Sequence, residues 1–570
     1  MSDLARRIAV AAGEEPADLV LKNLRLVNTL SGRIEPTEIA VAGGAVAALG
    51  EGYAGREEHD LGGAFAAPAF LDAHVHVESS MATPREFARA VAPRGTGAVF
   101  ADPHEIANVL GLDGVRWMLA ASEGLPLDVF FLAPSCVPAT HLESAGAELG
   151  PEAVAELLAE PRVLGLAEMM NFPGVIHRDP AVLAKLELAA GRVRDGHAPG
   201  LSGRALAAYA AAGIQSDHEC TTAEEARAKL SLGMRIMVRE GSSARNLAAL
   251  APAITPAASG QFMLCSDDRT PADLLAAGHV DHLVRRAVAE GVEPVVAIQM
   301  ATLNTARYFG LADRGALAPG YRADVAVFED FARLDVRRVY RAGRLVAADG
   351  RLLAEPAPAP PAPPGSMRIG DLGAAPFAIA DPGGDVRVIR AHPDQLLTDA
   401  ERATPRREGG LLLADPERDL LKLAVVERHR GTGRVGLGFV AGFGLRAGAL
   451  ATTVAHDSHN LIIVGADDAS MEAALAAARK MGGGKLVVGP GGVVASLPLP
   501  VAGLMSPAPV EETAARLEAL AAAARELGCT LPEPFMTLSF MALPVIPSLK
   551  LTDRGLVDVD AFAHVPLAAD

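Results

Sequence analysis

Between residues 67 and 310, short apolar runs alternate eight times with helical patterns, and this alternation constrains the fold more than any other feature. Each run is bounded by Gly, Pro or polar residues and is too short for a helix, so it reads as a buried parallel strand. The runs end at His74/His76, Asp102-Pro-His104, Pro134-Ser-Cys136, Glu168, His197, Asp217-His218, Arg239-Glu240 and Cys265-Ser-Asp267. Intervening helices are predicted at 84–91, 151–158 and 223–232, among others. Eight strand–helix units in roughly 245 residues predict a closed (β/α)8 barrel, with its active site at the C-terminal ends of the strands.

The flanks read differently. Residues from about 18 to 66 alternate apolar and polar, as in Leu19-Val-Leu-Lys-Asn-Leu-Arg-Leu-Val27, and a similar pattern returns at 323–328 and 339–346. That is the period of half-buried strands. A small β-sandwich assembled from 1–66 and 311–354 around a barrel at 67–310 is therefore expected. Glu355-Pro-Ala-Pro-Ala-Pro-Pro-Ala-Pro-Pro-Gly365 follows. Its prolines lack amide donors and favour extended chain, which predicts a semi-rigid linker over 355–366. Residues 367–570 mix apolar strands with helices near 470–481 and 510–527, so a separate C-terminal α/β domain is expected.

Composition narrows the function classes. Half of the 570 residues are hydrophobic, yet no apolar stretch reaches the roughly 18–20 residues of a membrane span. The first residues, Met-Ser-Asp-Leu-Ala-Arg-Arg, lack the apolar core of a secretory signal. Cys136, Cys220, Cys265 and Cys529 are widely spaced, which predicts free thiols and a reducing cytoplasm. A net charge of −17 argues against nucleic-acid phosphates and anionic membranes as partners. The composition predicts a soluble, cytosolic globular protein, with a homodimer as the default assembly.

The chemistry-bearing residues cluster at the predicted strand ends. In Leu71-Asp-Ala-His-Val-His-Val-Glu-Ser-Ser80, two His at i, i+2 share one strand face, and imidazole is the commonest protein metal ligand. Glu168, His197, His218 and Asp267 occupy the fourth, fifth, sixth and eighth ends. Four imidazoles and two carboxylates at one mouth could hold two divalent ions, which generate hydroxide at neutral pH. Such ligands suit Zn, Mn or Fe alike.

The pattern His-X-His, a residue after strand four, His, His and Asp after strand eight resembles the amidohydrolase superfamily. So does Gly315-Ala-Leu-Ala-Pro-Gly-Tyr-Arg-Ala-Asp-Val-Ala-Val-Phe328, which looks like the return to its small β domain. More closely, several phrases resemble the bacterial adenine deaminase family. They are His74-Val-His-Val-Glu-Ser-Ser-Met81, Asp102-Pro-His-Glu-Ile-Ala-Asn108, Glu168-Met-Met-Asn-Phe-Pro-Gly174 and His456-Asp-Ser-His-Asn460. Many members of the superfamily carry a carboxylated lysine where this chain has Glu168, which sets it apart from hydantoinases and dihydroorotases. The resemblance implies hydrolytic attack at C6 of adenine, giving hypoxanthine and ammonia in purine salvage, with Mn2+ or Fe2+ favoured and Zn2+ possible. It implies Glu168 as the bridging ligand and Asp267 as both ligand and general base. Glu219 is either the acid for a ring nitrogen or a structural strand-end carboxylate. Asp102 and His104 are candidates for substrate orientation or an auxiliary metal, and Glu78 and Ser79 for contact with the purine edge. His456 and His459 belong either to a simple turn or to a segment reaching over the barrel mouth to the substrate.

Other signals carry less. His104-Glu-Ile-Ala-Asn108 begins like a zinc-protease helix but has Asn at the second ligand position. Gly482-Gly-Gly-Lys lacks P-loop spacing, and Gly442-Phe-Gly-Leu-Arg-Ala-Gly448 lacks the following Rossmann unit. The rival functions are another deaminase or a cyclic amide hydrolase of the same superfamily, and a non-catalytic scaffold of the same fold.

Overall fold

The computed structural model describes residues 2–393 and 395–569. Its N-terminal strands are β1 (Ala17–Asn28), β2 (Arg33–Ala42), β3 (Ala45–Leu49) and β4 (Gly55–Pro68). Eight barrel strands follow: β5 (Phe70–Val75), β6 (Thr96–Ala101), β7 (Asp128–Ala133), β8 (Val163–Met169), β9 (Val193–Gly196), β10 (Ser216–Asp217), β11 (Arg235–Arg239) and β12 (Phe262–Cys265). The chain then returns through β13 (Val325–Phe328), β14 (Val336–Arg341), β15 (Arg344–Ala348) and β16 (Arg351–Leu352).

The barrel strands run parallel in sequence order as two ladders, β5 to β9 and β10 to β12. The Gln215 amide to the Arg194 carbonyl joins the ladders on one side, at 3.0 Å. On the other, Asp267 pairs with Val75, so the end of β12 lies beside the end of β5. Ala98, Phe100, Leu132, Ala167, Met237 and Met263 fill the interior. Their neighbours Val99, Ile236 and Val238 face outward against the helices. Both strand faces are therefore apolar, which is why the runs read as continuous. The predicted helices form at Pro84–Val91, Pro151–Leu158 and Ala223–Ser231. Two begin with Pro at the first turn, where its missing donor costs nothing, and the third is capped by the Thr222 side chain.

The flanks pair as expected, but into one eight-stranded sheet, ordered β16-β15-β14-β13-β4-β1-β2-β3. The expected sandwich is corrected in this respect: the sheet curls until the segment before β13 meets β3, through Val46 N–H to Tyr321 C=O and Ala323 N–H to Gly44 C=O. Curling lets one sheet bury its own concave face around Leu21, Ile39, Val325 and Tyr340.

The semi-rigid Pro-rich segment is held against the barrel helices. Its carbonyls remain as acceptors, and Arg85 and Trp117 donate to those of Pro356 and Pro361 at 3.3 and 2.9 Å. The C-terminal part is a largely antiparallel nine-stranded sheet with the helices Asp468–Met481 and Val510–Glu526 against it. It packs closely against the barrel. Val501, Ala502, Leu504 and Met505 enter the barrel-side core, and Met81 enters the C-terminal core. Ser506 N–H to Met81 C=O (2.8 Å) and Ser144 N–H to Asp553 Oδ1 (2.8 Å) stitch the two together.

Candidate metal centre and active site

A register irregularity in β5, between Asp72 and Val75, builds the first half of the site. Ala73 faces the barrel interior and Val75 the helices. Strict alternation would send His74 outward, so the irregularity is what turns both His74 and His76 into the mouth. Their Nε2 atoms lie 3.1 Å apart.

The remaining strand ends converge on that pair. Glu168 Oε1 is 3.7 Å from His74 Nε2 and 3.3 Å from His76 Nε2, and Asp267 Oδ1 is 3.5 and 3.2 Å from the same atoms. Glu168 Oε2 meets His197 Nδ1 at 2.6 Å and His218 Nε2 at 3.3 Å. Glu168 thus stands between two imidazole pairs with one oxygen toward each. Ligand atoms about 2.0–2.2 Å from one ion sit about 3.0–3.4 Å from each other. The separations here fall in or near that range, and imidazole with carboxylate is a suitable donor set for a divalent cation. The residues fit a metal centre. Burial pushes the Glu168 carboxyl up, but His197, His218 and His76 outweigh it and hold it well below the usual range. Asp267 is held low in the same way by His74, His76 and Arg239.

Supporting contacts fix each donor. The Asp102 carbonyl lies 3.1 Å from His76 Nδ1, which sets that nitrogen as the N–H and leaves Nε2 a lone pair for the centre. The Tyr209 hydroxyl donates to the Met169 carbonyl (2.7 Å) and accepts the His197 N–H (2.9 Å), tying β8 to the turn after β9. Buried Asp217 accepts the Ala198 and Glu219 amides at 2.8 and 3.1 Å and pairs with buried Lys229 at 2.9 Å. One carboxylate therefore shapes both turns that carry His197, His218 and Glu219. Asp72 accepts the Ser266 amide at 3.0 Å and meets His279 Nε2 at 2.8 Å, holding the end of β12 against β5.

Glu219 faces the mouth. It follows the two-residue strand β10, so strand alternation does not govern it. Its Oε1 lies 3.6 Å from His218 Nε2 and 3.7 Å from His197 Nδ1. Arg239, at the end of β11, grips both Glu219 oxygens and also donates to Asp267 Oδ2 at 2.9 Å.

Above the centre, buried Glu105 meets the C-terminal part of the chain. Its Oε1 is 2.8 Å from His456 Nδ1, and its Oε2 accepts from His459 Nε2. The three donors lie close enough to hold an ion, but the tautomer argues otherwise. His459 Nδ1 accepts the Ala455 N–H at 3.1 Å, so its Nε2 carries the proton that Glu105 receives. Here the structure departs from the sequence reading of His459 as a substrate contact, since both of its ring nitrogens are committed. Ser79 likewise donates to Asp268. Glu78 is buried, accepts the Ile106 N–H at 3.2 Å, and has its carboxyl pushed up to about 7 by burial. His104 Nδ1 lies 3.1 Å from Asp102 Oδ2 and 3.6 Å from Glu168 Oε1, beside the proposed ligands. Sequence reasoning missed Glu105, Arg239 and Asp268. Arg239 did mark a predicted strand end, and Glu105 sat inside the set-aside zinc-helix phrase.

A closed barrel with a flank-built sheet and this donor set at its mouth defines an amidohydrolase, and residues 65–346 match the Amidohydrolase family. Residues 395–563 match the Adenine deaminase C-terminal domain. "Adenine deaminase" of Desulfatibacillum aliphaticivorans is 53% identical over 562 residues, covering 98% of this chain and 99% of that protein. The protein of the same name from Methanothrix thermoacetophila is 52% identical, with 98% of each chain covered. "Adenine deaminase 2" of Carboxydothermus hydrogenoformans is 47% identical over 570 residues, the whole of both chains. This chain belongs to the adenine deaminase family.

Proposed function

We propose that the chain hydrolyses adenine at C6 to hypoxanthine and ammonia. The convergence of His74, His76, Glu168, His197, His218 and Asp267 on one buried point, in a chain alike to its relatives from end to end, carries this reading. Those six residues would hold two divalent ions, Mn2+ or Fe2+ first and Zn2+ also compatible, with Glu168 between them. The ions would supply the Lewis acidity that makes water nucleophilic near pH 7.

The protein's own groups manage the protons. Asp267 takes a proton from the attacking water as the C6–O bond forms, and passes it to the amino nitrogen as the C6–N bond breaks. Arg239 holds Asp267 Oδ2, leaving Oδ1 facing His74 and His76. Because Arg239 engages both Glu219 oxygens, Glu219 fits a relay that takes the second water proton from the oxygen added at C6 and hands it to a ring nitrogen, rather than a standing acid. Asp102 and His104 orient the proposed ligands, while Glu78 and His456 line the approach to them. The four cysteines are unpaired, which fits a cytoplasmic enzyme; among the described residues no helix is long and apolar enough to cross a membrane.

The test is to reconstitute the protein with Mn(II) or Fe(II) and follow adenine, adenosine, cytosine, guanine and dihydroorotate side by side. Adenine conversion with one ammonia per turnover is the expected result. Turnover of another substrate in preference to adenine rejects the reading.

A further inference from the structure

The turn His456-Asp-Ser-His-Asn460 is over-determined by its surroundings, with one exception. His456 Nδ1 meets Glu105 at 2.8 Å, and its ring stacks on Phe540 with centroids 4.9 Å apart. The Ser458 carbonyl lies 2.7 Å from His429 Nε2, which donates to it. Buried Arg428, one of the largest fully buried side chains, donates to the His459 carbonyl and also to those of Ser366 and Ala502, at 2.8 and 2.9 Å. Asn460 donates to the Ser144 carbonyl at 2.8 Å and accepts the Arg428 N–H at 3.3 Å. Four of the five polar residues are thus tied to the scaffold. Asp457 is not: it is 6% exposed, and its Oδ2 is buried without a hydrogen-bond partner among the described residues.

A buried carboxylate oxygen left unpaired costs free energy, so such an atom in a rigid setting calls for a partner that arrives later. The location is informative. The neighbouring His456 meets Glu105 Oε1 at 2.8 Å, that oxygen lies 3.8 Å from His104 Nε2, and His104 Nδ1 lies 3.6 Å from Glu168 Oε1, which puts the turn over the ligand cluster. A free purine base entering that mouth brings one N–H that takes no part in deamination, on its imidazole ring. An acceptor-only carboxylate is its complement, and the pairing is charge-assisted.

We propose that Asp457 accepts the imidazole-ring N–H of the purine base, so that the C-terminal part of the chain supplies a recognition residue that selects N9-unsubstituted substrates. This rests on the adenine reading above and adds the residue that enforces it. A site built to bond a substrate N–H discriminates strongly against an analogue lacking it, because the site's buried polar group is then left unpaired.

The experiment compares kcat/KM for adenine and 9-methyladenine, which keeps the reacting C6–NH2 but lacks the ring N–H. It uses the metal-loaded wild type, Asp457→Ala and Asp457→Asn. The wild type should prefer adenine about ten- to a hundredfold. Asp457→Ala should collapse that preference toward unity, mainly through a higher KM for adenine. Asp457→Asn, whose amide oxygen still accepts, should fall between. Metal content and melting temperature report whether each variant is intact. An intact Asp457→Ala that keeps the wild-type preference, or a wild type with none, overturns the inference. A wild type that does not turn over adenine overturns the parent reading and this one with it.

Discussion

Arg239 donates to Asp267 Oδ2 at 2.9 Å while the same guanidinium grips both oxygens of Glu219. A fixed planar fork thus sets the relative positions of two carboxylates that come from different strand ends. The seventh strand brings no metal-ligand type to the mouth; its contribution is this alignment.

Arg239→Lys and Arg239→Met should therefore lower kcat by about a hundredfold, since a misplacement of about 1 Å at a reacting group costs that much. KM should change far less. Steady-state kinetics on protein of wild-type metal content checks this, and an unchanged kcat in Arg239→Met would deny the alignment.

Glu168 reaches both imidazole pairs, so Glu168→Gln should reduce bound metal below about two ions per chain as well as turnover. Elemental analysis beside the adenine assay measures both. An active variant with full metal content would remove Glu168 from the centre.

Asp267→Asn keeps size and loses the proton acceptor. Turnover should fall by about a thousandfold or more, with the melting temperature near that of the wild type. Rates close to wild type would take the base role away from Asp267.

Glu105 is the acceptor for two imidazoles from the C-terminal part of the chain. Glu105→Ala strands both donors and should destabilise the protein by about 1–3 kcal/mol. It should also raise the KM for adenine as the turn loosens. Calorimetry and kinetics on one preparation read the two effects together.

Lys550 offers a pH signature remote from the barrel mouth. Its side chain is fully buried with the Leu396 carbonyl 3.0 Å away, and burial pushes its ammonium down to about 7. Between pH 7 and the unfolded value near 10.5 the unfolded chain binds one more proton here than the folded one, so stability rises with pH across that window. Relative to Lys550→Met, the wild type should gain about 1–3 kcal/mol between pH 7 and 9.5. Parallel melts of the two proteins at each pH test the sign.

Much of the barrel was legible from residue order. Apolar runs buried on both faces marked all eight strands, and the polar residues at their ends marked the six proposed ligands. The helices predicted at 84–91, 151–158 and 223–232 formed to within a residue. The flank sheet was legible as strands but not as one curled sheet, because curvature follows from how faces pack and leaves no period in the sequence. Glu105 was hidden for another reason. Its partners lie more than 350 positions away, and no local pattern joins a helix start to a turn that distant.

His74-Val-His76, Glu168, His197, His218 and Asp267 are thus determined by the sequence as residue types at strand ends, since strand period and burial need only local information. Tertiary structure decided how they meet. The irregularity in β5 turns two imidazoles inward, and Arg239 and Asp217 fix carboxylates and turns from elsewhere in the barrel. The C-terminal sheet lays His456 to Asn460 over the mouth. Each of these depends on atoms far apart in the chain brought within hydrogen-bond distance, and only the folded chain places them there.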